Sequence, residues 1–337
     1  MGLVKFGDYV KEVKINIDRN NNPYEYYVAG DHMDSEDLTI RRKGLFATDD
    51  VGPAFTRLFK PGQILYGSRR TYLKKVAVAD FEGICSNTTF VLETKDENKL
   101  RQRLLPFIML TDDFTKWSIS KSKGSTNPYI LFSDLANYEF ELPDINKQDE
   151  LVKLLWQAYA TKESYREMIR ATDEMVKSQF IEMFGDPITN SKGRKQKPFI
   201  EVVTLHRGYD LPEGKRVQSG SIPIYGANGF LGYHDCAMAE DGIVTGRSGA
   251  IGEVYEVPGP YWPLNTALFS IETHGNNITY LTYLLRFFDI KRFGTGTGVP
   301  TLNRNDVHKE MIYDVELTEQ SAFEKIAKQA DKSKYLS

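Results

Sequence analysis

The sequence has few of the features that mark membrane, secreted or metal-binding proteins. Its two cysteines, Cys85 and Cys236, lie in different halves of the chain and form no metal-binding or redox spacing. No apolar run approaches the ~20 residues that a membrane span needs. Residues 1–8 lack the apolar core and cleavage site of a signal peptide. These features predict a soluble protein of the reducing cytoplasm that does not contact membranes.

Signatures of catalysis are equally scarce. There is no P-loop, and the histidines lack metal-ligand spacing. Asp112 and Asp113 are better explained as solvated loop charges than as an acid/base pair. Residues 293–298 mimic the glycine-rich loop that cradles the adenosyl cofactor of methyltransferases, but a predicted helix precedes them, where that chemistry needs a strand. The sequence therefore predicts a non-enzyme with no cofactor and no metal.

Charge supports an argument about nucleic acid only locally, because the formal net charge is −3. A first basic cluster lies in a stretch of sequence that contains no acidic residue, and a second cluster follows the middle of the chain. The first cluster comprises Lys60, Arg69, Arg70, Lys74 and Lys75, and the second comprises Lys192, Arg194, Lys195 and Lys197. Such clusters mark either a solvated surface or a surface that grips phosphate.

An internal repeat is the most informative feature of the sequence. Residues 64–158 recur in weakened form at residues 242–330. The segment 86–94 reappears as 264–273, 67–70 has a counterpart in 246–249, and 124–135 matches 296–307. The match continues into the pairs Gln148/Gln320, Leu151/Phe323, Leu155/Ala327 and Ala158/Ala330. A period near 175 residues indicates two copies of one domain, each followed by a helix, because solenoid units span only ~20–50 residues.

Each copy is predicted to be a mixed, mostly β domain of the α+β class. In the first copy we expect strands at 64–66, 75–79 and 88–92, and a helix at 98–117 that is interrupted at Pro106. In the second copy we expect strands at 243–245, 253–257 and 267–271, and a helix at 278–293. The expected domains are 1–145 and 186–316, separated by a coiled-coil helix at 146–185 and followed by a shorter helix at 317–337.

The central segment has no glycine or proline from residue 147 to residue 184 and carries a heptad seam. The seam comprises Leu151, Leu155, Ala158, Lys162, Tyr165, Ile169, Thr172, Val176, Gln179 and Met183. Phe323, Ala327 and Ala330 of the last helix continue the same pattern, which predicts antiparallel pairing with Phe323 beside Met183. The shorter helix would reach back only to about Tyr165. It would leave Leu151, Leu154, Leu155 and Ala158, with Trp156 nearby, without a partner in the same chain, and we expect another chain, either a second copy or a modification subunit, to cover them.

Several motifs resemble one protein family. The segment G-R-S-G-A-I-G-E-V at 246–254, followed by 261–267, is similar to the hallmark of target-recognition domains in the specificity subunit of Type I restriction–modification systems. Residues 222–229, leading to 232–233, are similar to another segment of that family. Residues 60–70 and 75–86 resemble a second version of the domain, and 184–187 resemble the end of the family's central helix.

The resemblance implies a non-catalytic subunit that reads double-stranded DNA, one half of a bipartite target per domain. It implies that two helices set the spacing and dock two modification subunits, which carry the adenosyl cofactor and methylate adenine. Restriction subunits with motor and nuclease activity would then join. The last helix is shorter than the family pattern, so a second copy of the chain is a further expected partner.

The candidate DNA contacts are polar and basic residues of the repeated loops. They are Ser68, Arg69, Arg70, Lys121, Lys123, Ser125 and Asn127 in the first domain, and Tyr225, Asn228, Arg247, Ser248, Thr295, Thr297 and Arg304 in the second. Arginine can read guanine bidentately and asparagine can read adenine, although either side chain can also grip phosphate. The alternative function is a coiled-coil scaffold that binds proteins and not DNA.

Overall fold

The computed structural model describes residues 2–18, 21–217, 219–296 and 298–335, with side chains described to residue 332. It divides into two units, residues 1–162 and residues 163–337. The boundary lies inside a 40-residue helix, Ile145–Phe184. The fold class is α+β, as predicted, because each unit combines sheets with packed helices.

The first unit alternates short strands with short helices. Its strands are β1 (Gly2–Lys5), β2 (Val10–Glu12), β3 (Tyr26–Val28), β4 (Gly44–Leu45), β5 (Phe55–Phe59), β6 (Ile64–Gly67), β7 (Val76–Val78), β8 (Gly83–Ser86), β9 (Thr89–Thr94) and β10 (Glu139–Leu142). Its helices are α1 (Phe6–Tyr9), α2 (Leu105–Leu110), α3 (Asp112–Lys121), α4 (Phe132–Leu135) and the first part of α5 (Ile145–Phe184). Strands β6, β7 and β9 confirm the three strands that the sequence predicted here.

The central strands of the first unit are buried on both faces. One sheet has the order β2-β9-β6-β7, and a second has the order β4-β3-β8-β5. Successive residues of a strand point to opposite faces. Tyr66 and Leu92 therefore lie in one hydrophobic cluster, and Leu65 and Val91 lie in another. Burial on both faces explains why these strands are nearly continuous apolar runs.

The predicted interruption of the helix at Pro106 is wrong. Pro106 lies in the first turn of α2, where proline is tolerated because its missing N–H would have no partner inside the helix. The break falls instead at Thr111, the residue between α2 and α3. The Thr111 hydroxyl accepts a hydrogen bond from the backbone N–H of Phe114 (3.3 Å), so Thr111 caps the start of α3.

The first part of α5 packs on the core of the first unit. Leu151, Leu155 and Trp156 are half-buried against that core, and the Trp156 indole Nε1 donates to the carbonyl of Arg103 (2.9 Å). The predicted open strip is therefore wrong at these three positions. The first unit covers them. Leu154 is 63% exposed and Ala158 is also exposed, so these two positions do lie at the surface of the unit.

The second unit begins with the remainder of α5. Its strands are β11 (Gln196–Pro198), β12 (Thr204–Arg207), β13 (Ile222–Gly226), β14 (Gly229–His234), β15 (Ala239–Gly246), β16 (Val254–Pro263), β17 (Ala267–Glu272), β18 (Gly294–Thr295), β19 (Thr301–Leu302) and β20 (Met311–Tyr313). Its other helices are α6 (Ile278–Phe287), α7 (Arg304–His308) and α8 (Leu317–Tyr335). Strands β15, β16 and β17 confirm the predicted trio. The predicted helix at 278–293 is α6 followed by a turn of 3-10 helix, Ile290–Phe293.

A six-stranded sheet, in the order β12-β17-β15-β16-β13-β14, organises the second unit. Strands β13 and β16 run parallel, and the other neighbours run antiparallel. Leu268 and Ile243 lie in the same hydrophobic cluster as Tyr280 and Leu284 of α6, while Val244 and Phe269 lie in a separate cluster. Helix α6 therefore covers one face of this sheet.

The end of α5 and the start of α8 pack together, as an antiparallel pair requires. Phe323 of α8 contacts Phe180 and Phe184 of α5 through ring centroids 5.2 Å and 5.6 Å apart. Arg194 joins the two helices because its guanidinium donates to the backbone carbonyl of Met183 (2.7 Å) and to both carboxylate oxygens of Glu319 (2.9 Å each). The sequence predicted this pairing.

The seam itself differs from the predicted heptad. Val176 is buried as predicted, but the neighbouring buried positions are Phe180 and Phe184, four residues apart, and Met183 is only half-buried. Thr172 is half-buried, whereas Tyr165 and Ile169 are exposed to 39% and 40%. Phe323, Ala327 and Ala330 of α8 are buried. The buried positions at this end of α5 recur every four residues because the helix packs on a globular core as well as on one helix.

Candidate nucleic-acid interface

Each unit builds a turn at the end of a core strand, at the two glycine motifs of the repeat. Strand β6 ends at Gly67 and β15 ends at Gly246. The next backbone N–H donates to an equivalent carbonyl in both units: Ser68 to Thr88 (3.1 Å) and Arg247 to Thr266 (2.9 Å). Glycine is required at 246, because a Cβ there would overlap the carbonyl oxygen of Ala250.

A polar loop lies beside each turn. In the first unit the backbones of Lys123 and Tyr129 bond to each other, and in the second unit Thr295 and Thr301 are paired between β18 and β19. The loop is tied to the turn in the same way in both units. Ile130 N–H donates to the Ser68 carbonyl (2.9 Å), and Leu302 N–H donates to the Arg247 carbonyl (2.7 Å). These matching hydrogen bonds confirm the equivalence that the sequence repeat predicted.

The two halves of the repeat share a second construction, at the start of the helix that follows each domain. Gln148 and Gln320 are each 1% exposed. The Gln148 amide oxygen accepts from Arg101 N–H (2.9 Å), and that of Gln320 accepts from Asn277 N–H (2.8 Å). Each amide nitrogen donates to a carbonyl five residues upstream, at Pro143 and Val315. The two glutamines therefore fix the helix to the domain in the same geometry.

In the first unit, the turn and the loop border a cleft of about 360 Å³. Arg69, Arg70, Lys75 and Asn127 line it, together with the carboxylate-bearing Asp31. The cleft thus brings together three predicted residues, Arg69, Arg70 and Asn127, and adds the cation of Lys75. Ser68 is not among them, because it is 4% exposed and its hydroxyl donates to the Thr88 carbonyl (2.6 Å). Ser68 shapes the turn from inside.

The other predicted loop residues of the first unit have partners of their own or lie open. The Lys121 ammonium lies 4.8 Å above the Trp117 ring, and the Lys123 ammonium lies 3.0 Å from the Asp134 carboxylate. Both lysines are exposed, whereas Trp117 and Asp134 are half-buried, and contacts made by exposed charges contribute little to stability. Ser125 is exposed. The structure thus leaves these side chains accessible without joining them to the cleft.

In the second unit, a cleft of about 390 Å³ beside the turn and the loop holds three arginines, Arg207, Arg247 and Arg304, and its lining residues are not the repeat counterparts of those that line the first cleft. Thr301, Asn303 and Asn305 contribute polar groups to its wall. The Arg247 Nε donates to the Asn265 carbonyl (3.0 Å), which fixes the direction of its guanidinium. Arg207 is paired with the exposed carboxylate of Asp210 (3.1 Å). The cleft therefore joins cationic groups to amide and hydroxyl groups.

The remaining predicted residues of the second unit that the structure describes do not line this cleft. Tyr225 packs among the rings of Tyr255 and Tyr261, and Asn228 is exposed at the tip of the β13–β14 hairpin. Ser248 is bridged to Thr301, and Thr295 is exposed. Thr297 lies outside the described residues. Tyr225 is thus mainly a packing residue of the hairpin, whereas Asn228 is accessible.

Of the cationic and asparagine side chains that line the two clefts, four were missing from the predicted contacts: Lys75, Arg207, Asn303 and Asn305. Asn303 and Asn305 flank Arg304 in the sequence, so the polar run after Pro300 was a usable signal. Arg207 gave none, because it lies far from the motif in the sequence. It reaches the cleft through the pairing of β12 with β17, where it lies opposite Leu268.

His308 lies next to this cleft, at the end of α7. Burial, and then the charge of Arg304, hold the pKa of the His308 imidazole below its usual value. Its Nε2 accepts a hydrogen bond from the Leu205 N–H (3.0 Å). A protonated ring nitrogen could not accept that bond, so the neutral form of His308 joins α7 to β12.

The second basic cluster of the sequence is largely structural. Lys192 and Arg194 donate to backbone carbonyls at the end of α5, at Glu182 and Met183. Cations at a helix C-terminus compensate the unpaired carbonyls there. Lys197 is paired with Asp314 (2.8 Å). These contacts explain the cluster without nucleic acid.

The described residues form neither a metal site nor a membrane-spanning helix. Within the ranges that the structure describes, no group of three or more His, Cys, Asp and Glu side chains is placed to hold a metal ion. Of the helices described, none combines the length and the apolar character needed to cross a membrane.

Comparison with known proteins identifies relatives by sequence. Residues 11–169 match the family model described as Type I restriction modification DNA specificity domain. The Type I restriction enzyme EcoDI specificity subunit of Escherichia coli is 30% identical over 111 residues, which are 33% of this chain and 24% of that protein. The match thus spans about a quarter of the length of this curated relative.

One solved structure shares the fold over nearly the whole chain, and a second is similar at a lower score. The Type-I restriction-modification system S subunit from M. genitalium superposes with a TM-score of 0.59 at 15% identity, covering 99% of this chain and 90% of that one. The HsdS subunit from Thermoanaerobacter tengcongensis matches with a TM-score of 0.41 at 16% identity, covering 100% of this chain and 91% of that one. The first of these likenesses shows that the fold of this chain also occurs in a solved structure.

Proposed function

We propose that the chain belongs to the family of Type I restriction–modification specificity subunits and is the DNA-recognition subunit of such a system, as the similarity of residues 11–169 to the family model supports. One observation carries the proposal. Each unit has a cationic cleft beside its turn and loop, and the same hydrogen bonds tie the loop to the turn in both units. Two copies of one turn-and-loop construction, each with a cationic cleft beside it, suit a target read in two halves, one half per unit.

The side chains of the clefts suit nucleic acid. Arginine and lysine grip phosphates, and phosphate contacts supply most of the affinity of DNA-binding proteins. Arginine and asparagine can also read guanine and adenine edges in the major groove. Both clefts contain cations and asparagine. We propose Arg69, Arg70 and Asn127 in the first unit, and Arg247, Arg304 and Asn228 in the second, as the principal contacts.

We propose that the chain itself is not an enzyme and works in the cytoplasm with catalytic partners. The glycine-rich segment 293–298, which mimics a cofactor loop, supports this proposal. Part of it forms β18, whose pairing with β19 builds the wall of the second cleft. The segment therefore has a structural function equivalent to that of the loop around Gly124 in the first unit.

The proposed partners are two modification subunits and the restriction subunits, with a second copy of the chain as a further candidate. The exposed Leu154 of α5 is a place to test for a partner, because a large apolar side chain at 63% exposure is costly to leave in water. Leu154→Asp should reduce co-purification with the modification subunit or self-association. The matched control is Gln157→Asp on the same helix, at an exposed polar position. Equal co-purification of the two variants would remove Leu154 from the interface.

DNA binding is tested by a salt titration of equilibrium binding to mixed genomic DNA. Arg247→Ala and Arg304→Ala should weaken binding. If the arginine grips phosphate, the slope of log K against log salt should fall by about one. Lys325→Ala is the matched control, because it removes one exposed cation from α8. Binding that is absent at low salt, or equally weakened by all three variants, would reject the DNA-reading assignment and favour the protein scaffold.

A further inference from the structure

The two turns share a backbone position that needs an unusual conformation. In the first unit the N–H of Arg70 donates to the Pro128 carbonyl (2.7 Å), and in the second the N–H of Gly249 donates to the Pro300 carbonyl (3.0 Å). Both residues are left-handed, with φ of 48° at Arg70 and 88° at Gly249. The turn therefore requires a positive φ at this position, and only the second unit has glycine there.

An arginine in this position carries backbone strain that glycine would avoid, because its Cβ is crowded when φ is positive. Lys74, four residues later, is also left-handed, with φ of 47°. The left-handed conformation of Lys74 is accompanied by two ion pairs, because its ammonium lies 2.8 Å from the Glu36 carboxylate and 2.9 Å from that of Asp112. Arg70 has no comparable compensation. Its side chain is exposed, and no hydrogen bond or ion pair to it is found within the described ranges.

Strain of this kind persists only where the surrounding structure imposes it, and it clusters at active sites and ligand-binding sites. Arg70 lines the first cleft together with Arg69, Lys75 and Asn127. If the cleft needed only positive charge, Arg69 and Lys75 would supply it, and neither of them has positive φ. Long cationic side chains can reach a phosphate from many backbone positions. Reading a base edge requires instead that the planar guanidinium approach from one direction.

We propose that Arg70 is a specificity-determining residue of the first unit, which reads a guanine in that unit's half of the target. The inference rests on the proposed DNA-reading function. In the proposed contact, two N–H donors of the Arg70 guanidinium face the O6 and N7 acceptors of guanine, which is the commonest specific arginine contact. Because Gly249 has no side chain, the second unit cannot make this contact at the equivalent position. The two half-sites should therefore differ at the base read there.

The test compares Arg70→Gly and Arg70→Lys with the wild-type chain, using selection of bound sequences from a randomised duplex pool. Both variants should lose the preference for guanine at one position of one half-site, by a factor of about 5–150. Arg70→Lys should keep the wild-type salt dependence, because it keeps the charge. If Arg70→Lys retains full discrimination, or if Arg70→Gly selects the wild-type sequence, the inference is overturned.

Thermal unfolding supplies an independent readout of the strain. Arg70→Gly should raise the unfolding midpoint, since glycine adopts the left-handed conformation without crowding. Asp289→Gly is the matched control, because Asp289 is exposed in the second unit with φ of 51°. It should also gain stability but leave sequence selection unchanged. Arg70→Gly that is no more stable than wild type would contradict the strain argument.

The failure of this inference is distinguishable from failure of the proposed function. If the wild-type chain selects no sequence, the DNA-reading function itself fails. If the wild-type chain selects a bipartite sequence, and Arg247→Ala alters one half while the Arg70 variants alter nothing, only the role of Arg70 is rejected.

Discussion

The two units place the same loop construction around different side chains. In the first, the turn carries adjacent arginines, Arg69 and Arg70, while the second unit has Ser248 and Gly249 at the equivalent places and takes cations from Arg207, Arg247 and Arg304. The hydrogen bonds that hold turn to loop are the same in both. The difference teaches that the backbone frame is shared, whereas the cationic cleft beside it is lined by non-equivalent residues in the two units. A frame of that kind can present a different reading surface in each half.

The largest expected difference between the two units is in how much the helix that follows each domain contributes to the free energy of unfolding. Phe323 is fully buried among Phe180, Phe184 and Tyr283, whereas its counterpart Leu151 is half-buried on the first unit. Phe323→Ala should cost about 3–5 kcal/mol of unfolding free energy, and Leu151→Ala about 1–2 kcal/mol. Denaturant unfolding measures both. Equal losses would mean that the two helices are anchored equally.

A second comparison concerns Gln148 and Gln320, which should behave alike. Each buried amide accepts one backbone N–H and donates to a backbone carbonyl, so alanine leaves buried groups without partners. Gln148→Ala and Gln320→Ala should each cost about 1–3 kcal/mol. Hydrogen exchange assigns each loss to its own unit. A loss in only one unit would show that the repeat is structurally unequal at the start of the helix.

The smallest expected effect is a difference in pH dependence. The pKa of His308 is lowered in the folded state, so its neutral form stabilises the second unit above its unfolded pKa, near 6.5. This contribution is lost as the pH falls from that value towards the lowered pKa. The first unit has Ala136 at the equivalent position, so that position makes no pH-dependent contribution to its stability.

Hydrogen exchange between pH 7 and pH 5 should therefore show the second unit weakening through His308. His308→Gln should reduce that dependence, because its amide oxygen can accept the Leu205 N–H and does not titrate. An unchanged pH dependence in His308→Gln would show that another group is responsible.

The sequence predicted the parts of the fold that repeat. The strands around Tyr66 and Val244, the loops after Gly124 and Gly296, and the helices that follow the domains were all visible as matched segments. The reason is physical: the turn and the loop need glycine or proline at fixed positions in both copies, so these residues survive when the rest diverges.

Other features depend on contacts that the sequence does not display. The heptad predicted Met183 as a seam residue, but Phe180 and Phe184 are the buried pair because the helix packs on a domain as well as on α8. Ser68 was predicted to contact DNA, yet its hydroxyl points inward to the Thr88 carbonyl. Arg207 joins the cleft only through the register of β12 on β17. Long-range packing decided each of these cases.

The central claim, that each unit reads its own half of a DNA target, is tested most directly by selecting bound sequences from a randomised duplex pool. The wild-type chain, with its modification subunits if they are required for binding, should enrich two short conserved blocks separated by a spacer of free sequence. Arg247→Ala should change one block, and Arg69→Ala should change the other. A single uninterrupted block, or one altered at the same positions by both variants, would contradict the account.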